Sequence, residues 1–400
     1  MDSVKDEKRL LRYAYLLCLI CFLNLFFISD PFDKGALIVG GVICLLMGYS
    51  HFIIRRFYPD GDKYILIFAC MLSSIGMVMI YRLNRGEAIR QIIWFIIGIA
   101  FFILIVVILP ELKKYEKYRY VFLVGTLLFM SMATFFGTEI NGSKNWIRIG
   151  GQLFQPSEFG KIFFVAYLAS ALKDYKNFKN LIEPAFIVMI SLGFMVLQKD
   201  LGSALLFFSV SITILYIATS KLKYVIVCFV LFVIGGYISY KLFGHVRLRF
   251  MIWANPWPYQ NNESFQVVQG MYSIASGGLF GSGLGLGHPE FVPVRTTDFI
   301  FAAICEEMGA LIGFAIMILY FLLFYRCMRA AVYAQDNFSR LLAVGYSAVI
   351  GSQVLVIVGG VTNMIPLTGI TLPLISYGGS SMLIMFIALG ILQKISEGGR

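Results

Sequence analysis

Residues 92–110 read IIWFIIGIAFFILIVVILP, nineteen positions without a single charge. As a helix this run is about 28 Å long at 1.5 Å per residue, close to the hydrocarbon thickness of a bilayer. In lipid only helices and closed barrels satisfy their own backbone, and an unbroken apolar run argues for the helix. Similar runs recur on both sides. The expected spans are 12–29, 35–54, 64–81, 92–110, 120–136, 158–172, 182–197, 203–219, 222–243, 299–325, 341–361 and 370–393. Of the 400 residues 59% are hydrophobic and 14% charged, against about 25% charged in soluble domains. A water-soluble enzyme is excluded, and the expected fold is an all-α polytopic membrane bundle.

The formal net charge of +11 invites a nucleic-acid reading, but topology accounts for it better. With residue 1 in the cytoplasm, the inner segments hold 21 of the 33 Lys and Arg and the outer segments 12. Basic residues favour the cytoplasmic side, so both termini are expected there. The seven cysteines lie in or beside apolar spans and read as small packing residues. Cys18 and Cys21 have CxxC spacing, but inside a span and without a second pair. The apolar run near residue 1 is too long for a signal peptide and is followed by no small-residue cleavage site, so it is expected to be retained.

The polar motifs collect in three segments on the expected outer side, 137–157, 244–298 and 362–381, and in one tight connection. The first reads NGSKNWIRIG at 141–150 and QPSEFGK at 155–161; Pro156 and Ser157 mark a helix start. Glu158 and Lys161 stand three apart, so they can pair, either as a functional ion pair entering the membrane or as a structural staple. In the connection QKDLGS, at 198–203, Asp200 suits a helix cap. The long segment 244–298 carries Arg247 and Arg249 among aromatic residues, which suits a lipid headgroup, and the glycine-rich run SGGLFGSGLGLG at 276–287. No strand precedes those glycines and no GK[ST] follows, so a nucleotide loop is disfavoured and a flexible membrane-hugging hinge is expected. TDFIF at 297–301 places Asp298 where this segment meets the next span, with Glu306 and Glu307 about two turns further along the expected helix. Asp298 suits a general base facing the outer leaflet; as a residue type it equally suits an N-cap. The last segment, NMIPLTGITLPLISYGGSS at 363–381, breaks its apolar sequence with two prolines and three glycines. Broken helices at membrane depth line a cavity or are buried in protein. Ser376, Gly378, Gly379 and Ser380 there offer hydroxyls and N–H groups to an anion.

NGSKNWIRIG with QPSEFGKI, QKDLG, QGMYSIASGGLFGSGLGLG, TDFIFAAICEEMG and PLTGITLPLISYGGSS resemble the SEDS family of shape, elongation, division and sporulation proteins, which includes FtsW, RodA and SpoVE. The resemblance covers about 64–400, in order. It implies a ten-span core over 61–400 and makes 1–60 a two-span N-terminal extension. It further implies a peptidoglycan glycosyltransferase that polymerises lipid II at the outer face of the cytoplasmic membrane, releases undecaprenyl diphosphate and works with a class B penicillin-binding protein. The family's catalytic carboxylate falls on Asp298, and its activity-linked Glu and Lys fall on Glu158 and Lys161. Lys199 stands where the family usually has a proline, which leaves the local geometry there open and the family resemblance intact. Lys144, Arg148, Lys161, Arg247 and Arg249 are candidates to stabilise the departing diphosphate, with a divalent cation as a further candidate. Asp200, Glu306 and Glu307 are expected to support the site. The resemblance does not separate elongation from division or sporulation. Two rival readings stand beside it, a lipid II flippase and a non-enzymatic scaffold of a wall-building complex.

Overall fold

A computed structural model describes residues 2–28, 31–140, 142–150 and 152–397; Asn141, which opens the first motif, lies outside them. The helices are α1 Asp2–Ile28, α2 Lys34–Phe57, α3 Tyr64–Leu83, α4 Arg85–Ile108, α5 Arg119–Phe136, α6 Pro156–Leu172, α7 Lys179–Leu197 and α8 Leu201–Thr219. After them come α9 Leu222–Leu242, α10 Gly244–Ala254, α11 Phe265–Gly277, α12 Ile300–Met308, α13 Ala310–Tyr333, α14 Asn337–Val361 and α15 Gly379–Glu397. Among the described residues eleven helices are long and apolar enough to cross a membrane. The 17-residue α6 runs among them as the remaining expected span. This chain is a multi-pass membrane protein.

Polar residues punctuate the helices where apolar sequence cannot. Asn84 ends α3 and caps α4, its side chain accepting from the N–H groups of Gly86 and Glu87. Asp33, Asp200 and Asp336 cap α2, α8 and α14 in the same way, and Pro156 opens α6, where a missing N–H costs nothing. At the centre, α3 is enclosed along nearly its whole length and α15 packs along α4. At the periphery α9 has no buried residue. The pair α1–α2 leans on α3 and α4. Asp33 secures it there, accepting from the Tyr81 hydroxyl at 2.8 Å and pairing with Arg85 at 2.8 Å.

Three sequence expectations are refined. Within the expected all-α fold, segment 137–157 carries an antiparallel sheet of β1 Thr138–Ile140, β2 Ser143–Ile149 and β3 Gln152–Phe154 in the order β1-β2-β3 before α6 begins. The span expected over 299–325 is two helices, α12 and α13, parted at Gly309 with φ 87°. The glycine-rich run crosses that break, and the carbonyls of Gly278 and Leu279 accept from the N–H groups of Ala310 and Leu311. A continuous helix would have no room for that crossing. The span expected from 370 begins only at Gly379. Residues 362–378 are non-helical, although Leu372, Leu374 and Ile375 are buried.

Gly76 on α3 lets that helix touch the Ile375 backbone; a methyl group there would overlap the Ile375 carbonyl. Gly76→Ala is expected to lower the thermal midpoint in detergent, at a cost of about 1–3 kcal/mol. Gly41→Ala, with nothing within 4 Å of the added carbon, is the control expected to leave the midpoint unchanged.

Candidate active site

The non-helical segment 362–378 has backbone groups that no helix bonds for it, and the surrounding helices supply side chains instead. Arg249 of α10 donates to the carbonyls of Leu367 and Thr368 at 3.2 and 3.1 Å. Gln353 of α14 donates to Thr371 O at 2.8 Å, and the Tyr320 hydroxyl of α13 donates to Pro373 O. Gln91 of α4 bonds the Ser376–Gly378 turn through both ends of its amide. That turn in turn holds the residues before Asp298: Tyr377 N donates to Thr296 O at 2.8 Å and Ser376 Oγ to Thr297 O at 2.6 Å.

Asp298 is half-buried. It does not cap α12, whose preceding residue is Phe299 with no side-chain cap, so the capping reading falls away. Burial pushes its carboxyl up to about 6, while a hydrogen bond from Thr297 and the charge of Arg249 pull the other way. Arg249 feels both Asp298 and Asp200, and these two carboxylates offset the burial that lowers its own pKa. Gly369, at φ 73°, leaves open the space beside Asp298, where a Cβ would lie 3.6 Å from Oδ2. Arg249, Leu367 and Thr368 also close one end of an apolar groove of about 990 Å³ between α7, α8 and α9. Phe178 and Tyr224 line the same groove near the opposite ends of its helices. One cation therefore joins a carboxylate of raised pKa to a long apolar slot.

The other expected residues divide. Asp200 is buried and fully used: it accepts from Asn145 Nδ2 at 2.8 Å, Gln155 Nε2 at 3.4 Å, and Ser203 N and Oγ at 2.9 and 2.8 Å. It ties the β-sheet to α8 while its charge faces Arg249. Lys199 beside it has φ 59°, a value closed to proline, so a proline at this position would need a different backbone. Lys144 reaches Thr134 O at 3.0 Å, Arg148 is exposed on β2, and Arg247 is exposed, bonded to Lys241 O at 3.2 Å. Glu158 and Lys161 do pair, at 2.8 Å and buried, and Lys161 also donates to Gln353 at 3.1 Å. The pair thus supports Gln353, which holds Thr371.

Two site expectations need correction. Ser376, Gly378, Gly379 and Ser380 do not form an open anion cradle. The Ser376 hydroxyl is spent on Thr297 O and Leu372 N, Gly378 N is bonded to Gln91, Gly379 abuts Trp94, and Ser380 is buried. Glu306 and Glu307 follow Asp298 by about two turns, as expected, in the last turn of α12. There Glu306 accepts from His288 N at 2.7 Å and from Ser273 Oγ, while Glu307 accepts from Gly285 N at 2.9 Å and faces Arg82 at 3.2 Å. The glycine-rich run is accordingly pinned to α12, by the Glu307 carboxylate at Gly285 and by the Glu306 and Glu307 carbonyls at Ser282 and Gly283, rather than hung as a free hinge. Among the described residues no three His, Cys, Asp or Glu side chains gather as metal ligands. Sequence reasoning missed Gln91, Gln353, Asn145 and Gln155. For Gln353 the available signal was a single amide inside an apolar helix.

Residues 62–400 match the model of the FtsW/RodA/SpoVE family, described as cell cycle protein. The chain belongs to this family. Its relatives include the peptidoglycan glycosyltransferase RodA of Mycobacterium tuberculosis, 38% identical over 384 residues, covering 89% of this chain and 82% of that one. Stage V sporulation protein E of Bacillus subtilis is 33% identical over 359 residues, covering 85% and 98%. The probable peptidoglycan glycosyltransferase FtsW of Geobacter metallireducens is 33% identical over 355 residues, covering 84% and 94%. Among solved structures, a chain from a peptidoglycan synthase complex coordinating polymerization and crosslinking superposes with TM-score 0.73 at 25% identity, covering 84% of this chain and 97% of that one. Thermus thermophilus RodA, at TM-score 0.65 and 23% identity over 85% and 97%, shares the fold. The family match begins at 62, after α2, so α1 and α2 precede the family's matched range.

A carboxyl infrared difference titration of Asp298 is expected to give a midpoint near 6. Arg249→Gln removes the charge that favours the ionised form, so the midpoint is expected to rise; an unmoved midpoint would show that Arg249 does not act on Asp298.

Proposed function

We propose that this chain is a peptidoglycan glycosyltransferase that polymerises lipid II at the outer face of a bacterial cytoplasmic membrane, with Asp298 as its general base. The observation that carries the reading is the placement of Asp298: a carboxylate of raised pKa facing Arg249, which itself lines the end of an apolar groove. The bias of 21 against 12 basic residues supports putting this end outside and both termini in the cytoplasm.

In the proposed reaction two lipid-linked saccharides meet beside Asp298. Asp298 takes the proton of the acceptor's 4-hydroxyl as that oxygen attacks the donor's anomeric carbon. The bond to the diphosphate breaks with inversion, and undecaprenyl diphosphate leaves. A base with a pKa near the working pH combines availability with driving force. Arg249 is the first candidate to meet the diphosphate, since it stands where the groove ends; Arg247, Arg148 and Lys144 are further cations on the same side. The groove suits a polyprenyl tail, because its lining is apolar along nearly its whole length. That same lining weighs against a flippase, which needs polar groups along the path of a headgroup. Glu158 and Lys161 neutralise one another and act through Gln353 and Thr371 on the wall of the site. A class B penicillin-binding protein is the proposed partner, supported by the likeness to a chain of a synthase complex. Elongation, division and sporulation relatives all match, and the role among the three follows from the partner.

Purified protein with fluorescent lipid II, and its partner if needed, is expected to give a ladder of glycan products. Asp298→Asn is expected to slow it by about 10²–10⁴-fold. The wild-type rate is expected to fall as pH drops through about 6, where Asp298 takes up its proton. A wild-type rate from Asp298→Asn, or lipid II translocation in liposomes without polymer, overturns the reading.

A further inference from the structure

Gln91 lies six residues into α4, with Arg90 before it and a long apolar run after it. Its side chain is completely buried. A buried primary amide is costly unless both its oxygen and its nitrogen are bonded. Here both are, and to one turn: Nε2 donates to Ser376 O at 3.1 Å and Oε1 accepts from Gly378 N at 3.1 Å. The amide pairs with this turn as a neighbouring strand would. Between those two bonds, Tyr377 N reaches Thr296 O, and the Ser376 hydroxyl bridges Leu372 N and Thr297 O. Thr296 and Thr297 lead directly into Asp298. Gln91 makes no contact with Asp298 among these bonds, yet the backbone on which Asp298 rides is bonded to the turn that Gln91 holds.

We propose that Gln91 is a positioning residue: it locks the Ser376–Gly378 turn, which fixes the Thr296–Thr297 backbone and so the place of the Asp298 carboxylate. The inference rests on the reading of Asp298 as the base of the polymerisation reaction. Leucine at 91 would fill much of the same space but leave Ser376 O and Gly378 N without their partner. The turn then has reason to move toward other donors and acceptors, and Asp298 moves with it. Displacement of a reacting group by about 1 Å can cost about 10²-fold in rate. Binding of the lipid tail in the groove and of phosphate by Arg249 does not involve this turn, so substrate affinity is expected to stay.

The test measures kcat and KM for lipid II with folded, monodisperse protein, alone or with its partner. Gln91→Leu is expected to lower kcat by about 10²-fold while KM stays within about twofold. Ser376→Ala, a smaller change on the same path, is expected to lower kcat by about tenfold, again with KM unchanged. Because both act through one turn, the double variant is expected to be no slower than Gln91→Leu alone. A wild-type kcat for Gln91→Leu, a rise in KM alone, or fully multiplicative losses would overturn the proposal. So would a lowered thermal midpoint with kcat per folded molecule unchanged. If Gln91→Leu does not fold, Ser376→Ala decides, and a wild-type kcat there counts against the proposal. Asp298→Asn run in parallel separates the two claims. If it is inactive while Gln91→Leu is normal, only the positioning role fails; if it is active, the base assignment itself fails.

Discussion

A chain that leaves its helix inside a membrane bundle must find a partner for every backbone group it frees. Without water, each unbonded N–H or C=O costs several kcal/mol. Segment 362–378 does this in the middle of the protein, and much of the surrounding polar chemistry follows from it. Arg249, Gln353, Tyr320 and Gln91 come from four different helices, and each donates to a carbonyl of this segment. These residues look misplaced in apolar surroundings until the carbonyls they serve are identified. The family's fold can be read as a bundle built around one irregular segment, with side chains doing what helix bonds do elsewhere.

The same bonds organise charge. Arg249 is held by two carbonyls, so its guanidinium is fixed before any substrate arrives, between Asp200 and Asp298. Preorganised charge of this kind costs no rearrangement when a reaction develops charge. Asp200 is saturated by four bonds and has little capacity left for other work. Asp298 is not saturated in this way, and burial raises its pKa to about 6; burial raises Glu307 as well, but that carboxylate is already bonded to Gly285 N and faces Arg82. Glu158 spends its charge on Lys161, Glu306 on His288 N and Ser273, and Glu307 on Gly285 N and Arg82. Most of the carboxylates that stood out in the sequence are thus fasteners, and one is available for chemistry.

Hydropathy made the spans legible because lipid imposes a length and a polarity on each helix separately. The broken segment was legible for a related reason, since Pro366, Pro373 and Gly369 cannot sit comfortably inside a helix. The break at Gly309 was not, because 299–325 is apolar throughout apart from Glu306 and Glu307, and the cause of the break is a distant glycine run crossing it. Asp298 was visible as a charge at a span boundary. Ser376 was visible as a polar residue, but its role was misread: a hydroxyl that could face a ligand and one that bridges two backbone groups look alike in one dimension. Gln91 was overlooked because an amide near a helix start reads as solvated surface until the turn it holds is known.

Residues 372–378 form a fixed wall beside Asp298 rather than a solvated loop. Hydrogen–deuterium exchange of the full chain in lipid nanodiscs measures this directly, at the amides of Ser376, Tyr377 and Gly378. Their bonds to Leu372 O, Thr296 O and Gln91 Oε1 predict protection comparable to that of the adjoining turns of α15. Exchange of these three amides at the rate of an open loop would contradict the account.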